Sequence, residues 1–214
     1  MTEKNPESQE VDVLQEDEVQ ESSERCPCPE KYPDWDGKTM NLGGYCVHEM
    51  KIASFFHMPM AYDMYVSKQA ANVDHLELTE KWPGFLMTKT GMWGGKIMRL
   101  LEDSDSPSRL VKYLSDPFYV QVKLHDGGVG SVPKAVHKMQ IEMVEKGRVP
   151  KDLYLAHLTC PMCCDRKGGD KIMILRKFNA NERMKTLMEE EQKREQKCEA
   201  KESKAAASGE AAAN

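Results

Sequence analysis

Apolar and polar positions alternate most cleanly over residues 118–124. There Phe118, Val120, Val122 and Leu124 are interleaved with Tyr119, Gln121 and Lys123. A period of two predicts a strand with one face buried. Residues 84–90 and 96–101 are apolar-rich runs on either side of Gly91, Gly94 and Gly95, which predicts a hairpin with a long or bulged turn. Residues 153–158 and 171–178 are two further strand candidates, joined by a loop containing Gly168 and Gly169. Elsewhere the period is helical. Tyr62, Val66, Ala70 and Val73 mark a helix that starts near Pro59, since proline suits a first turn, and runs to about Asn72. Val132, Val136, Met139 and Met143 mark a second helix after Ser131. It has Pro133 in its first turn and Gly147 as its stop, and Ile141 and Val144 are read as widening its buried stripe. No internal repeat is visible. Strands and helices do not alternate regularly, so the expected fold class is α+β: a single domain with a mainly antiparallel sheet and two or three helices.

The two ends differ from the middle in composition. Residues 1–25 hold nine acids and two bases with few apolar anchors. They are expected to be a disordered acidic tail, because so little apolar area cannot offset the entropy of ordering. Residues 179–214 are rich in Glu, Lys, Arg, Gln and Ala. They are expected to be a charged helical tail whose apolar residues stop after Met184, Leu187 and Met188. Residues 26–178 form the globular domain between them, with a net charge of +3. They contain no basic stripe with interleaved aromatics, so nucleic acid is not an expected partner. No run approaches 18 consecutive apolar residues, which excludes a membrane-spanning helix. The first residues show neither a basic n-region nor an apolar h-region, so the expected location is cytoplasmic.

Cysteine spacing changes this picture. Seven cysteines fall at 26, 28, 46, 160, 163, 164 and 198. In a reducing compartment such a set points to metal ligation or thiol chemistry before disulfides. Cys160 and Cys163 can share one ion if the chain between them turns sharply, and Pro161 favours that turn. Zinc takes four sulfur or nitrogen ligands, with sulfur at about 2.3 Å. A strand, a cysteine turn, a Gly-Gly turn and a second strand follow one another over residues 153–178. This segment resembles the knuckle-and-hairpin half of a zinc ribbon. It departs from the ribbon in having no second cysteine pair after Phe178, and Cys198 stands alone. The remaining closely spaced pair is Cys26-Pro27-Cys28. The expected centre is therefore zinc on Cys26, Cys28, Cys160 and Cys163, with Cys46, His48, His157 or Cys164 as substitute ligands. An iron–sulfur cluster would use the same four thiolates. Redox thiol chemistry would want a helix after the pair, where a strand is expected.

Three other segments carry candidate chemistry. Phe55 to Met64 clusters Met with His57, a set soft enough for Cu(I), but it is read as core at a helix start. His125-Asp126-Gly127-Gly128 leads through Ser131 into a helix, where backbone amides can cradle an anion. The segment matches neither the dinucleotide fingerprint nor the P-loop. Trp82 and Trp93 lie beside glycines and are read as folded over the sheet edge. Together these features point to a metal-binding accessory or interaction protein whose partner is another protein. The alternative is a small enzyme acting on an anionic small molecule around His125 and Ser131, or an iron–sulfur or redox-thiol protein.

Overall fold

The structure is a computed structural model and describes residues 26–179. Eight strands form one antiparallel sheet: β1 (Thr39–Asn41), β2 (Cys46–Ile52), β5 (Leu86–Thr90), β6 (Gly95–Leu100), β7 (Val111–Tyr113), β8 (Tyr119–Asp126), β9 (Val149–His157) and β10 (Lys171–Asn179). Two short strands, β3 (Ser54–Phe55) and β4 (Met58–Pro59), make a separate hairpin. The helices are α1 (Tyr62–His75) and α2 (Val132–Glu145), the latter preceded by a short 3₁₀ turn. This is an α+β architecture with two α-helices among the described residues. The expected acidic tail lies outside the described residues. So does the charged helical tail, apart from Asn179, which closes β10.

The sheet order is β1-β8-β10-β9-β5-β6-β2-β7. It contains the same unit twice. β2-α1-β5-β6 and β8-α2-β9-β10 are both strand–helix–strand–strand, and the two lie back to back, meeting where Thr88 of β5 pairs with Leu155 of β9. β1 precedes the first unit but pairs with β8 of the second. β7 precedes the second unit but pairs with β2 of the first. The sequence shows no repeat because only the polarity pattern is duplicated. Gln69 and Met139 hold the same place, the eighth residue of a 14-residue helix.

Both helices pack on one face of the sheet. α1 covers Met50, Ile52, Leu86 and Ile97, and α2 covers Tyr119, Ile172, Ile174 and Phe178. On the opposite face Phe118, Val120, Val122, Met87, Met98 and Leu175 join a larger cluster, closed by Trp35 and Leu42 from the N-terminal segment. β8 is therefore covered on both faces, and Tyr119 and Gln121 are buried where one-sided alternation predicts exposure. α1 begins three residues later than expected, because the β3–β4 hairpin occupies Pro59.

The stripe of α2 is Val132, Met139 and Met143. Ile141 and Val144 are 47% and 62% exposed, so the stripe is narrower than the sequence suggests. The reading of residues 55–64 as core is overturned as well. Phe55, Phe56, Met58, Met60 and Met64 are all exposed. Trp82 packs edge-on against Trp35 at 5.1 Å, whereas Trp93 is 75% exposed.

A polar chain runs under α1. Gln69 is buried and donates to the His48 carbonyl at 2.9 Å and to His48 Nδ1 at 3.2 Å. An amide nitrogen only donates, so Nδ1 accepts and the ring proton sits on Nε2, which has no partner. Arg99 Nε donates to Gln69 Oε1, and its Nη1 donates to Glu80 at 2.7 Å. Burial, then the Arg99 charge, lowers the His48 pKa.

Met139→Asp buries an unpaired charge against Ile174 and Phe178 and is expected to cost several kcal/mol in denaturant unfolding, on the order of 3. Ile141→Asp, one turn-face away, is expected to be nearly silent. Equal effects would refute this register. Because the folded pKa of His48 is depressed, the unfolded chain binds the extra proton first. Stability is therefore expected to hold above about pH 6.5 and to fall as the pH drops through that value. His48→Gln is expected to flatten the slope in a pH series of unfolding curves.

Candidate functional site

The turn between β9 and β10 is built on Cys160. Its carbonyl accepts from the amides of Cys163 at 3.0 Å and Cys164 at 2.9 Å. That folds the intervening Pro161 and Met162 back and brings both sulfurs to one side, 3.8 Å apart. Gly169 closes the loop onto the Cys164 carbonyl at 2.7 Å. Its φ of +106° is a conformation that glycine adopts without a side-chain clash.

The N-terminal segment arrives from the other side. Lys167 Nζ donates to the Pro29 carbonyl at 2.8 Å. The segment lies so close over Gly84 that a Cβ there would meet Pro27 O at 3.0 Å and Pro29 N at 3.1 Å. Cys26 Sγ reaches Cys160 Sγ at 3.4 Å. The ligand atoms of Cys26, Cys28, Cys160 and Cys163 all lie within 4.8 Å of one another, a group that can hold a metal ion. Cys163 is fully buried and the other three are half-buried.

The electrostatics of the group follow from its crowding. Burial raises the pKa of Cys26 against opposing hydrogen bonds from Cys28, and raises that of Cys28 strongly, where the other three thiols add to the effect. Burial also opposes ionisation of Cys160. Hydrogen bonds from Cys26, the Met162 backbone, Cys28 and Cys163 outweigh it and bring Cys160 down to about 7. The cluster thus holds one thiolate readily and resists a second. Ionising all four requires a cation among them.

The other ligands considered from sequence are not brought to this group. Cys46 and His48 are buried on β2. His157 sits at the end of β9. Cys164 Sγ turns to the Pro161 carbonyl at 3.4 Å. Cys198 lies outside the described residues. His125 Nε2 and Ser131 Oγ are 2.7 Å apart, and Ser131 Oγ also donates to the Gly128 carbonyl. The hydroxyl proton is therefore committed to the turn, and His125 donates to Ser131.

A second feature was not read from the sequence. A cleft of about 700 Å³ lies over the seam between the two units. Thr88, Leu155 and Arg176 line its floor, Val132 and Val136 of α2 one wall, and His57 on the β3–β4 hairpin the other. Phe56 and His57 form the turn of that hairpin with φ of +46° and +65°. Both lie in the left-handed region, which is costly for the bulky Phe56 and better tolerated by histidine. The turn is held by Phe56 N to the Met92 carbonyl at 3.0 Å, His57 N to the Gly91 carbonyl at 3.1 Å, and Ser54 Oγ to Gly91 O at 2.9 Å. His57 Nδ1 lies 3.3 Å from the Thr90 carbonyl. A carbonyl only accepts, so Nδ1 carries the proton and Nε2 is the acceptor. Asp152, also lining the cleft, pairs with Lys89 at 2.7 Å. Burial opposes its charge, but the Lys89 hydrogen bond wins and lowers its pKa. An apolar run flanked by a Phe-His turn is not a recognisable sequence signal, and the cleft exists only once the two units meet.

Comparison with solved structures supports the fold. The C-terminal domain of EcmrR is similar with a TM-score of 0.51 at 10% identity, over 67% of this chain and 96% of that one. An uncharacterized conserved protein from Listeria innocua is similar with a TM-score of 0.51 at 10% identity, over 69% of this chain and 94% of that one. No curated protein matches the chain. A family model described as bacterial hydrolase matches residues 17–178, a span that takes in both units, the cleft and all four clustered cysteines. The chain belongs to this bacterial hydrolase family.

Proposed function

We propose that the chain is a hydrolase-family domain with two separate centres: a structural zinc ion on Cys26, Cys28, Cys160 and Cys163, and a small-molecule cleft in which His57 serves as base. The observation that carries the zinc reading is the convergence of four sulfurs within 4.8 Å. A tetrahedral ion with sulfur at about 2.3 Å sets its ligands about 3.8 Å apart, close to the 3.4 and 3.8 Å separations within the group. An iron–sulfur cluster places irons and sulfides between its thiolates and spreads them wider. Four protein ligands leave no open position, so the ion holds residues 26–29 against the β9–β10 turn and takes no part in turnover. Protein purified without added metal is expected to contain about one zinc per chain. Cys160→Ser is expected to lose the ion and lower the melting temperature, since metal bound only by the folded state contributes to folding. Cys198→Ser is expected to change neither. Normal zinc content in Cys160→Ser would refute the assignment.

The cleft reading rests on the strained Phe56-His57 turn, on the acceptor left at His57 Nε2, and on the family. Backbone strain kept at the mouth of a cavity is a cost that surrounding bonds must offset, and it accompanies functional side chains. With Nδ1 tied to Thr90, Nε2 takes a proton from water as that water attacks a substrate carbonyl. The proton then passes to the leaving group. His57→Asn keeps a residue tolerant of positive φ. In hydrolysis of p-nitrophenyl butyrate it is expected to lower kcat/KM about a hundredfold, with zinc content unchanged. An unaltered rate would remove His57 from the reaction.

A further inference from the structure

The two units place an arginine at the same position on the helix-covered face, yet they treat it differently. Thr88 pairs with Ile97 and Leu155 with Ile174, so Arg99, two residues beyond Ile97, is the counterpart of Arg176, two beyond Ile174. Arg99 is satisfied, by Gln69 through Nε and by Glu80 through Nη1. Met139 replaces Gln69 under α2 and offers no acceptor. Gln121, directly across from Arg176, gives its oxygen to Arg148 at 2.9 Å. Arg176 Nε is buried with no partner, and the side chain lines the cleft. Burial lowers its pKa, with the Asp152 charge opposing, but an arginine stays charged at any ordinary pH. Leu153 and Leu155 on the floor and Val132 and Val136 on the α2 wall give the cleft an apolar side, while Thr88, Lys89, Lys151 and Asp152 also line it.

We propose that Arg176 is the anion-recognition residue of the cleft, whose ligand is an organic anion with an apolar body. The inference rests on the reading that the cleft is the ligand site. A buried guanidinium donor without a protein acceptor is costly, and a carboxylate, sulfonate or phosphate group supplies the missing acceptor in bidentate geometry. The apolar body then lies between Leu155 and the wall of α2.

Two fluorescent probes of nearly one shape test this. Anilinonaphthalene sulfonate carries a negative charge, and its parent phenylnaphthylamine carries none. The full chain is expected to bind the anion at least tenfold more tightly. Arg176→Met is expected to erase that preference while phenylnaphthylamine binding is kept and the melting temperature does not fall, and Arg176→Lys to restore part of it. A preference untouched in a folded Arg176→Met overturns the anion assignment alone, provided that filling the cleft with Val136→Trp displaces the neutral probe. If neither probe binds, or if Val136→Trp displaces neither, the cleft is not the ligand site and both readings fall.

Discussion

Everything in this molecule depends on how two half-sheets are joined at β5 and β9. The register there is a single pair, Thr88 with Leu155, and it sets both faces at once. On one face it sets the helices apart, so that α1 and α2 cover different clusters and leave a cleft over the seam. On the other it merges strands from both halves into one apolar cluster, with Phe85, Met87 and Met98 beside Tyr154, Ala156 and Met173. Because side chains alternate with a period of two, a slip of one residue would send each of these to the wrong face. The cleft is thus a by-product of the sheet's own register, and its chemistry is decided by which residues the two halves happen to differ in.

Those differences are where the protein departs from its own symmetry. Gln69 and Met139 occupy equivalent helical positions, and Arg99 and Arg176 equivalent strand positions. In the first half Gln69, Arg99 and Glu80 satisfy one another, and the other oxygen of Glu80 accepts from the Gly84 amide at 3.1 Å. Gly84 in turn carries the segment that bears Cys26 and Cys28. The first half therefore uses its polarity to hold structure, from α1 out to the cysteine group. The second half leaves its arginine without an internal acceptor and faces a cavity with it.

The sequence made local features legible and long-range ones not. The hairpin around Gly94 and Gly95, the strands that became β9 and β10, and α2 with its terminal Gly147 all follow from short-range rules of period and turn chemistry. The cysteine spacing suggested a four-membered group because few closely spaced pairs exist to combine. The misreadings share one cause, the neglect of what covers a surface. Tyr119 and Gln121 looked exposed because both faces of β8 being covered leaves no mark in a period-two pattern. Ile141 and Val144 looked buried because a wide apolar stripe on a helix does not say how wide its partner is. Phe55, Phe56 and Met58 looked like core, but they form a hairpin docked on the turn after β5 and stay in solvent. The duplication was invisible because equivalent positions carry Gln and Met, or Thr and Leu.

The exchange of edge strands adds something that neither half would supply alone. β1 leaves the first unit to border the second, and β7 leaves the second to border the first. The arrangement is that of two protomers clasping each other by extended arms, fused into one polypeptide. A single unit cut free would keep an unbordered outer strand at β2 or β8 and a loose arm with nowhere to lie. Its simplest remedy is another copy of itself, so one chain holds the strand order that a swapped dimer would have.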